Sequence, residues 1–509
     1  MVPLETVEKK PSALLNLAQQ KFNNLTVGEE IFLMKTDYGE YASLLLGVPD
    51  EDTNKNYIFK QSGRDGDFDP NKAEDWDKYR IIRSELIEWI FKNREAIELL
   101  SDDGIDLEFA RIDGDLNLRN LKVNSPISFR NCTFTGRVDL SEGEFRSLSF
   151  DGCHMRQGMN AAYIRVDKYL RFADGFTSRG MVNLSGSCIE GDFYALEGHF
   201  INAGSICIVG EGMTIGGNAR FQKGFEVQGA VMFGMANIQG AFNWCCMDPN
   251  SDFILDLRNA RIRILSDDAD SWPKKGNLSL NGMIYESIWE GTPINAKMRI
   301  DWLERQKEFR PQTYEQLAKC FQNMGFLEEA KEVLMAKEEK LTLARPLSER
   351  WLRFMTLGVF LGYGYDPWRL AYFGAASVVM GGFLFSLGFR KNLMSPVNDS
   401  RGQTKNNHPK FSALIYSIET FVPLLDLHQK KYWLPDARKG RTLRELAETF
   451  LGRWEFGRIA QRTSSILNWQ LFRLQTGALL RWWFWAEIIL GWIITTLLLA
   501  VLTGLIHTG

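Results

Sequence analysis

The sequence predicts a mainly β solenoid, then an α-helical connector, then a C-terminal transmembrane helical module. Three observations carry this. A pattern of glycine, any residue, apolar, any residue, apolar recurs at Gly114–Leu118, Gly136–Leu140, Gly180–Leu184, Gly204–Ile208 and Gly229–Phe233, with a degenerate copy at Gly158. Its glycines step by 22, 22, 22, 24 and 25 residues, a period that means stacked units rather than independent hairpins. From about Lys297 the apolar spacing becomes helical, and the last 150 residues hold long uncharged runs edged by tryptophan.

Residues 1–74 read as a mixed N-terminal region. Ser12 is placed to cap a short helix through Phe22, and 26–60 suggests a few strands before a polar loop from Arg64 to Ala73. Residues 75–104 form the expected helical cap, with Tyr79, Ile82, Leu86, Trp89 and Ile90 on one face. A solenoid end exposes unpaired backbone, so a cap is required there.

Residues 105–290 are the solenoid, a parallel right-handed β-helix of about 22 residues per coil and about seven coils. Strands this short bury no face alone, but stacked coils bury one continuous apolar column. Glycines suit corners that need positive φ or a close backbone approach. Half-copies at Ile189–Phe193 and Ile238–Phe242 mark a second strand in each coil. The pattern is expected to fray after Trp244, with loops at Asp248–Asn250 and Ser266–Lys275 and weak coils at Leu255–Leu257 and Leu278–Leu280.

Residues 291–350 predict a helical hairpin: one helix opening at Pro311, a turn at Gly325, a second helix from Leu327. It resembles a single tetratricopeptide-type unit. A rigid connector is one role and a docking site for a protein partner is the other.

Residues 351–509 predict the membrane module. Trp351–Tyr365 reads as an interfacial helix. Residues 369–389 and 486–506 are the expected crossings, each built on an uncharged run, Leu370–Phe389 and Ile488–Ile506, long enough to cross the lipid bilayer. Trp368 and Arg369 anchor the first, and Trp482, Trp483 and Trp485 form an aromatic belt at the start of the second. Between them, 411–427 is apolar but carries Glu419, Pro423 and Asp426, as either a third crossing or a re-entrant segment. The following stretch, 428–481, is basic, which favours a full crossing if it faces the cytoplasm; 390–410 is basic too and would then face outward.

Composition excludes several classes. The formal charge is −3, so no nucleic-acid partner is expected. Seven cysteines, an odd number lying mostly on solenoid strands, read as free core thiols on a reducing side. Met1–Asn24 lacks the apolar stretch of a signal peptide. The five histidines are scattered, and no catalytic set, metal site or cofactor-binding site stands out. Cys245 and Cys246 are adjacent without a neighbouring ligand set. Gly210–Gly216 fits two solenoid corners better than a dinucleotide loop, and Gly362-Tyr-Gly364-Tyr365 precedes the first crossing, where a turn is expected rather than an ion filter.

The pore candidates are Glu419, Thr420, Pro423 and Asp426, because an acid within a membrane segment is a functional site by default. The plainer alternative is that Glu419 fastens helices. Glu487, near the start of the last crossing, reads as interfacial.

From Asp75 onward the chain resembles a bacterial family of pentapeptide-repeat-like β-helix membrane proteins. The likeness rests on Arg83–Trp89, Ala110–Leu116, Tyr314–Ala318 with Gly325 and Ala330, Gly362–Trp368, Tyr416–Leu427 with Tyr432–Pro435, and Gly491–Thr496, in that order. The resemblance implies a bacterial inner membrane, and many members are labelled membrane-associated oxidoreductases. No residue here supplies the redox cofactor that label implies. The leading expectation is a self-associating, homo-oligomeric ion-conducting pore with a cytoplasmic β-helix as sensor or assembly platform. A membrane-anchored scaffold for protein–protein interaction is the alternative, and an oxidoreductase the third.

Overall fold

The structure is a computed structural model that describes residues 12–44, 69–76, 78–353, 362, 366, 368–397, 410–442, 445 and 475–502. The chain divides into two compact units, Met1–Lys337 and Glu338–Gly509.

The first unit is a parallel β-solenoid. Along one face the register runs Ile105, Ile127, Leu148, Leu170, Phe193, Ala219, Phe242, Leu265 and Ile288, each paired with the next. That is eight turns of about 23 residues. A second parallel sheet runs alongside, through Arg111–Asp113, Thr133–Phe134, His154–Met155, Thr177–Ser178 and His199–Val209. Successive side chains on each strand alternate inward and outward, so every coil gives the interior a few apolar residues.

The inward column is aromatic. Phe129, Phe150, Phe172, Phe193 and Phe221 follow one another at centroid spacings of 5.8, 5.6, 6.0 and 5.4 Å. Each ring covers the next, which suits offset and tilted pairs. Two causes explain the recurring glycines. Gly114 has φ +97°, open to few other residues, whereas at Gly136 a β-carbon would lie 2.3 Å from the carbonyl oxygen of Gly114 in the preceding coil. A second left-handed corner recurs once per coil at Phe109, Asn131, Gly152, Asp174, Glu197, Lys223 and Cys246, with glycine at one of the seven.

The solenoid does not fray after Trp244. Strands Asp252–Asp256, Arg261–Asp267 and Ile284–Ile288 continue both sheets in register. Ser266 and Asp267 belong to the strand, so the expected loop starts at Asp268, and its root is tied down: Arg299 reaches both carboxylate oxygens of Asp267 at 2.6 and 2.9 Å, and both residues are buried.

Both ends are capped. Helix α1 (Ala13–Lys21) is capped by Ser12, as expected. Residues 27–37 form helix α2 (Val27–Asp37) rather than strands, opened by a capping box of Thr26 and Glu29. Glu29 also takes the guanidinium of Arg83, which holds its carboxyl below the ordinary range against the opposing pull of burial. The expected cap helix begins only at Ser84. Ile81–Arg83 instead pairs with Arg111–Asp113 as a further strand, followed by α3 (Ser84–Lys92) and α4 (Arg94–Glu98).

At the other end lie α5 (Ala296–Leu303), α6 (Pro311–Asn323) and α7 (Leu327–Leu343), the predicted connector. Helix α6 closes the solenoid. Gln312 and Gln316 donate from their side-chain amides to the carbonyls of Met283 and Tyr285, satisfying a strand edge that would otherwise be open. Helix α8 (Leu347–Arg353) follows in the second unit, and the predicted interfacial segment 351–365 lies largely outside the described residues.

Candidate functional site

Among the described residues of the second unit, three helices beyond α8 pack together. Helices α9 (Trp368–Arg390) and α11 (Thr476–Leu502) are long and apolar enough to cross a membrane. At 1.5 Å per residue, α9 is about 34 Å long, against a hydrocarbon core of about 30 Å. Helix α10 (Ala413–Phe421) has nine residues, about 13 Å, too short for a third helical crossing.

The chain around α10 goes in and comes back. Helix α10 runs antiparallel to α9: Phe411 stacks on Phe389 at 4.7 Å, Ser417 Oγ meets the carbonyl oxygen of Val378, and Phe421 lies against Gly374. After Phe421 the chain turns, and Gln429 returns to the start, bonding the backbone of Ser412 and Lys410. Met394–Pro396 then pairs antiparallel with Trp433–Pro435, Asp436 N–H donates to Leu393 O, and Gly477 N–H donates to Lys439 O. The end of α9 and the start of α11 therefore lie together. At this end the Arg438 backbone N–H holds the Asp436 carboxyl below its ordinary range.

The pore candidates separate into two pairs. Glu419 is 1 % exposed, and its Oε2 accepts from the backbone N–H groups of Gln429 (2.7 Å) and Lys430 (3.1 Å). It latches the returning chain to α10. Thr420 is buried as well and donates to Tyr416 O at 2.7 Å. Pro423 and Asp426 lie on the return itself. There Leu424 is 89 % exposed, Leu425, Leu427 and His428 are exposed, and Asp426 pairs with Lys431 at 2.6 Å.

A further carboxylate matters that the sequence placed at the interface. Helix α11 starts ten residues before the predicted 486, so Glu487 is its twelfth residue rather than its second. Glu487 is 1 % exposed and faces Gly381, where a β-carbon would meet Glu487 Oε1 at 2.3 Å. Gly381 lies about 14 Å from the Arg390 end of α9, near the middle of that helix. Ser417 Oγ of α10 also lies 2.5 Å from Glu487 Oε1; its one proton serves either that oxygen or Val378 O, and the side chain sits where α11, α10 and α9 meet. Its Oε2 has no hydrogen-bond partner; the Trp483 indole lies beside it outside bonding geometry. A buried oxygen without a donor readily accepts a cation or water. The signal that finds Glu487 is spacing: Leu480, Phe484, Glu487, Gly491 and Ile494 are the buried stripe of α11, at steps of four and three.

Trp368, Trp482 and Trp485 are exposed, Trp483 is half-buried, and Arg369 pairs with Asp366 at 3.1 Å. Elsewhere, among the described residues, one group of side chains could hold a metal: Cys245, Cys246 and Asp268, whose donor atoms lie within 4.8 Å of one another. All seven cysteines are free.

Comparison with protein-family models, curated proteins and solved structures gives no match.

Proposed function

We propose that the C-terminal unit is a homo-oligomeric ion-conducting pore, with the β-solenoid as its sensor or assembly platform. The observation that carries this reading is the return of residues 422–429. It is a non-helical segment that enters between two long apolar helices and leaves at the end it came from. Such backbone at membrane depth is tolerated only against protein or water. One chain leaves Leu424, Leu425, Asp426 and Leu427 exposed, so neighbouring chains around an axis would complete the enclosure. Asp426 then repeats as a ring that attracts cations, while Glu419 holds each return in place.

The test is flux through proteoliposomes carrying purified protein. Asp426→Asn should cut cation selectivity several-fold and leave the oligomer intact. Glu419→Gln keeps one acceptor oxygen but loses the charge, and should weaken the assembly. Light scattering corrected for detergent reads the mass of each. A monomer, or flux indifferent to Asp426, would end the pore reading.

The same reading sets this protein in a bacterial inner membrane, crossing it twice, with the solenoid cytoplasmic. Its support is the seven free thiols. The loops at the far end, among them 390–410 with five Lys and Arg against one acid, then face outward, against the usual charge bias. Thiol labelling decides the side: Cys246 is exposed and should resist an impermeant maleimide in intact spheroplasts and react after permeabilisation.

A further inference from the structure

A cavity of about 360 Å³ opens on the second sheet of the solenoid, beneath the short helical turn Pro70–Asp75. Strands His154–Met155 and Thr177–Ser178 are neighbours in register, with His154 beside Thr177. The residues that follow the two strands, Arg156 and Arg179, therefore sit on adjacent coils about 4.8 Å apart along the axis. Three cationic or basic groups thus converge on one pocket, and one of its lining residues, Glu74, is an acid.

Glu74 is committed to Arg156. Among the described residues the Arg179 guanidinium and the two ring nitrogens of His154 have no hydrogen bond or ion pair. Burial pushes the His154 proton affinity down, to about 4, and Arg179, His199 and Arg156 push the same way. Asp69 opposes them, and His199 is itself occupied by Glu226 at 2.8 Å. A pocket that gathers repelling cations around an open volume is complementary to an anion, and a planar guanidinium fork fits tetrahedral oxygens.

We propose that this pocket binds a tetrahedral oxyanion, of the kind presented by the phosphate group of a small metabolite. The cavity is large enough for such a group and a small body attached to it. The site lies wholly within the first unit and does not depend on the pore reading.

The experiment is calorimetric titration of the full chain in detergent with sodium sulfate, ionic strength held constant with chloride. Sulfate keeps both charges between pH 5 and 8, so any pH effect belongs to the protein. The expected result is saturable binding in the millimolar range or tighter, weakened about tenfold or more by Arg179→Ala. Arg261→Ala, an exposed arginine on the other sheet, should leave it unchanged. An anion beside His154 favours its protonated form, so affinity should rise about threefold or more from pH 7.5 to 5.5 and lose that rise in His154→Gln. Absence of saturation up to about 50 mM, or equal binding by the Arg179 and Arg261 variants, would overturn the proposal.

Discussion

Gly491 of α11 is where the end of α10 presses close on its neighbour. A β-carbon there would stand 1.8 Å from the carbonyl oxygen of Phe421 and 2.7 Å from its carbonyl carbon. An ordinary carbon–oxygen contact needs about 3.2 Å, so Gly491→Ala must drive α10 and α11 about 1.4 Å apart. Neither side yields cheaply. The obstruction is backbone, and α10 is fixed by the Glu419 latch and by the Ser417 contacts with Val378 and Glu487. Overpacking of this kind costs roughly 2–4 kcal/mol, offset by at most about 1 kcal/mol of helix propensity. Gly382 of α9 supplies the control: its nearest neighbours to an added β-carbon lie at 3.5 Å, ordinary contact. Gly382→Ala should be neutral or stabilising by up to about 1 kcal/mol. Two identical chemical changes in long apolar helices should thus shift stability in opposite directions. Thermal unfolding in one detergent, followed by tryptophan fluorescence, reads both. Equal midpoints would refute the close approach of α10 to α11 and the re-entrant path built on it.

Three further outcomes concern the solenoid. Arg299→Met leaves Asp267 buried without its cation and should cost about 3–5 kcal/mol, read as a lower midpoint in chemical denaturation of the full chain. Thr26→Ala removes one arm of a capping box and should cost about 1 kcal/mol on the same readout. His154 has a folded-state proton affinity below its unfolded one. The unfolded chain therefore binds the extra proton first, and stability falls as pH drops from about 6.5 to about 4. Discounted for partial exposure, the loss is about 2 kcal/mol, and the difference between the parent and His154→Gln should carry that slope.

The solenoid was legible because its causes are local and repeat. Gly136 must be glycine for a contact one coil away, and that contact recurs with the period. The second corner was not legible, because Phe109, Asn131 and Lys223 share a backbone conformation and no side-chain type. Helix α2 was missed because its apolar face mixes with polar residues, and its opening signal, Thr26 with Glu29, was passed over. The later coils looked frayed because their glycines lapse, yet Leu255, Leu265 and Leu278 keep the inward alternation. In the second unit the two long apolar helices follow from composition alone. The roles of Glu419 and Glu487 do not: the partners of one are backbone groups ten and eleven residues on, and Ser417 lies seventy residues before the other. Gly374, Ser377, Gly381 and Gly388 are buried along α9, a face of small residues that lets other helices pack closely.

The coil-upon-coil register has a mechanical corollary. The hydrogen bonds between neighbouring coils lie along the solenoid axis, so tension along that axis loads them one after another, as in a zipper. Each coil released frees about 23 residues, or roughly 80 Å of contour at full extension, in place of one 4.8 Å layer. Pulled from its ends, the stack would lengthen in regular steps at modest force, each step leaving the remaining coils in register. The fold thus stores length in equal increments, and the caps at its two ends set where the paying-out begins.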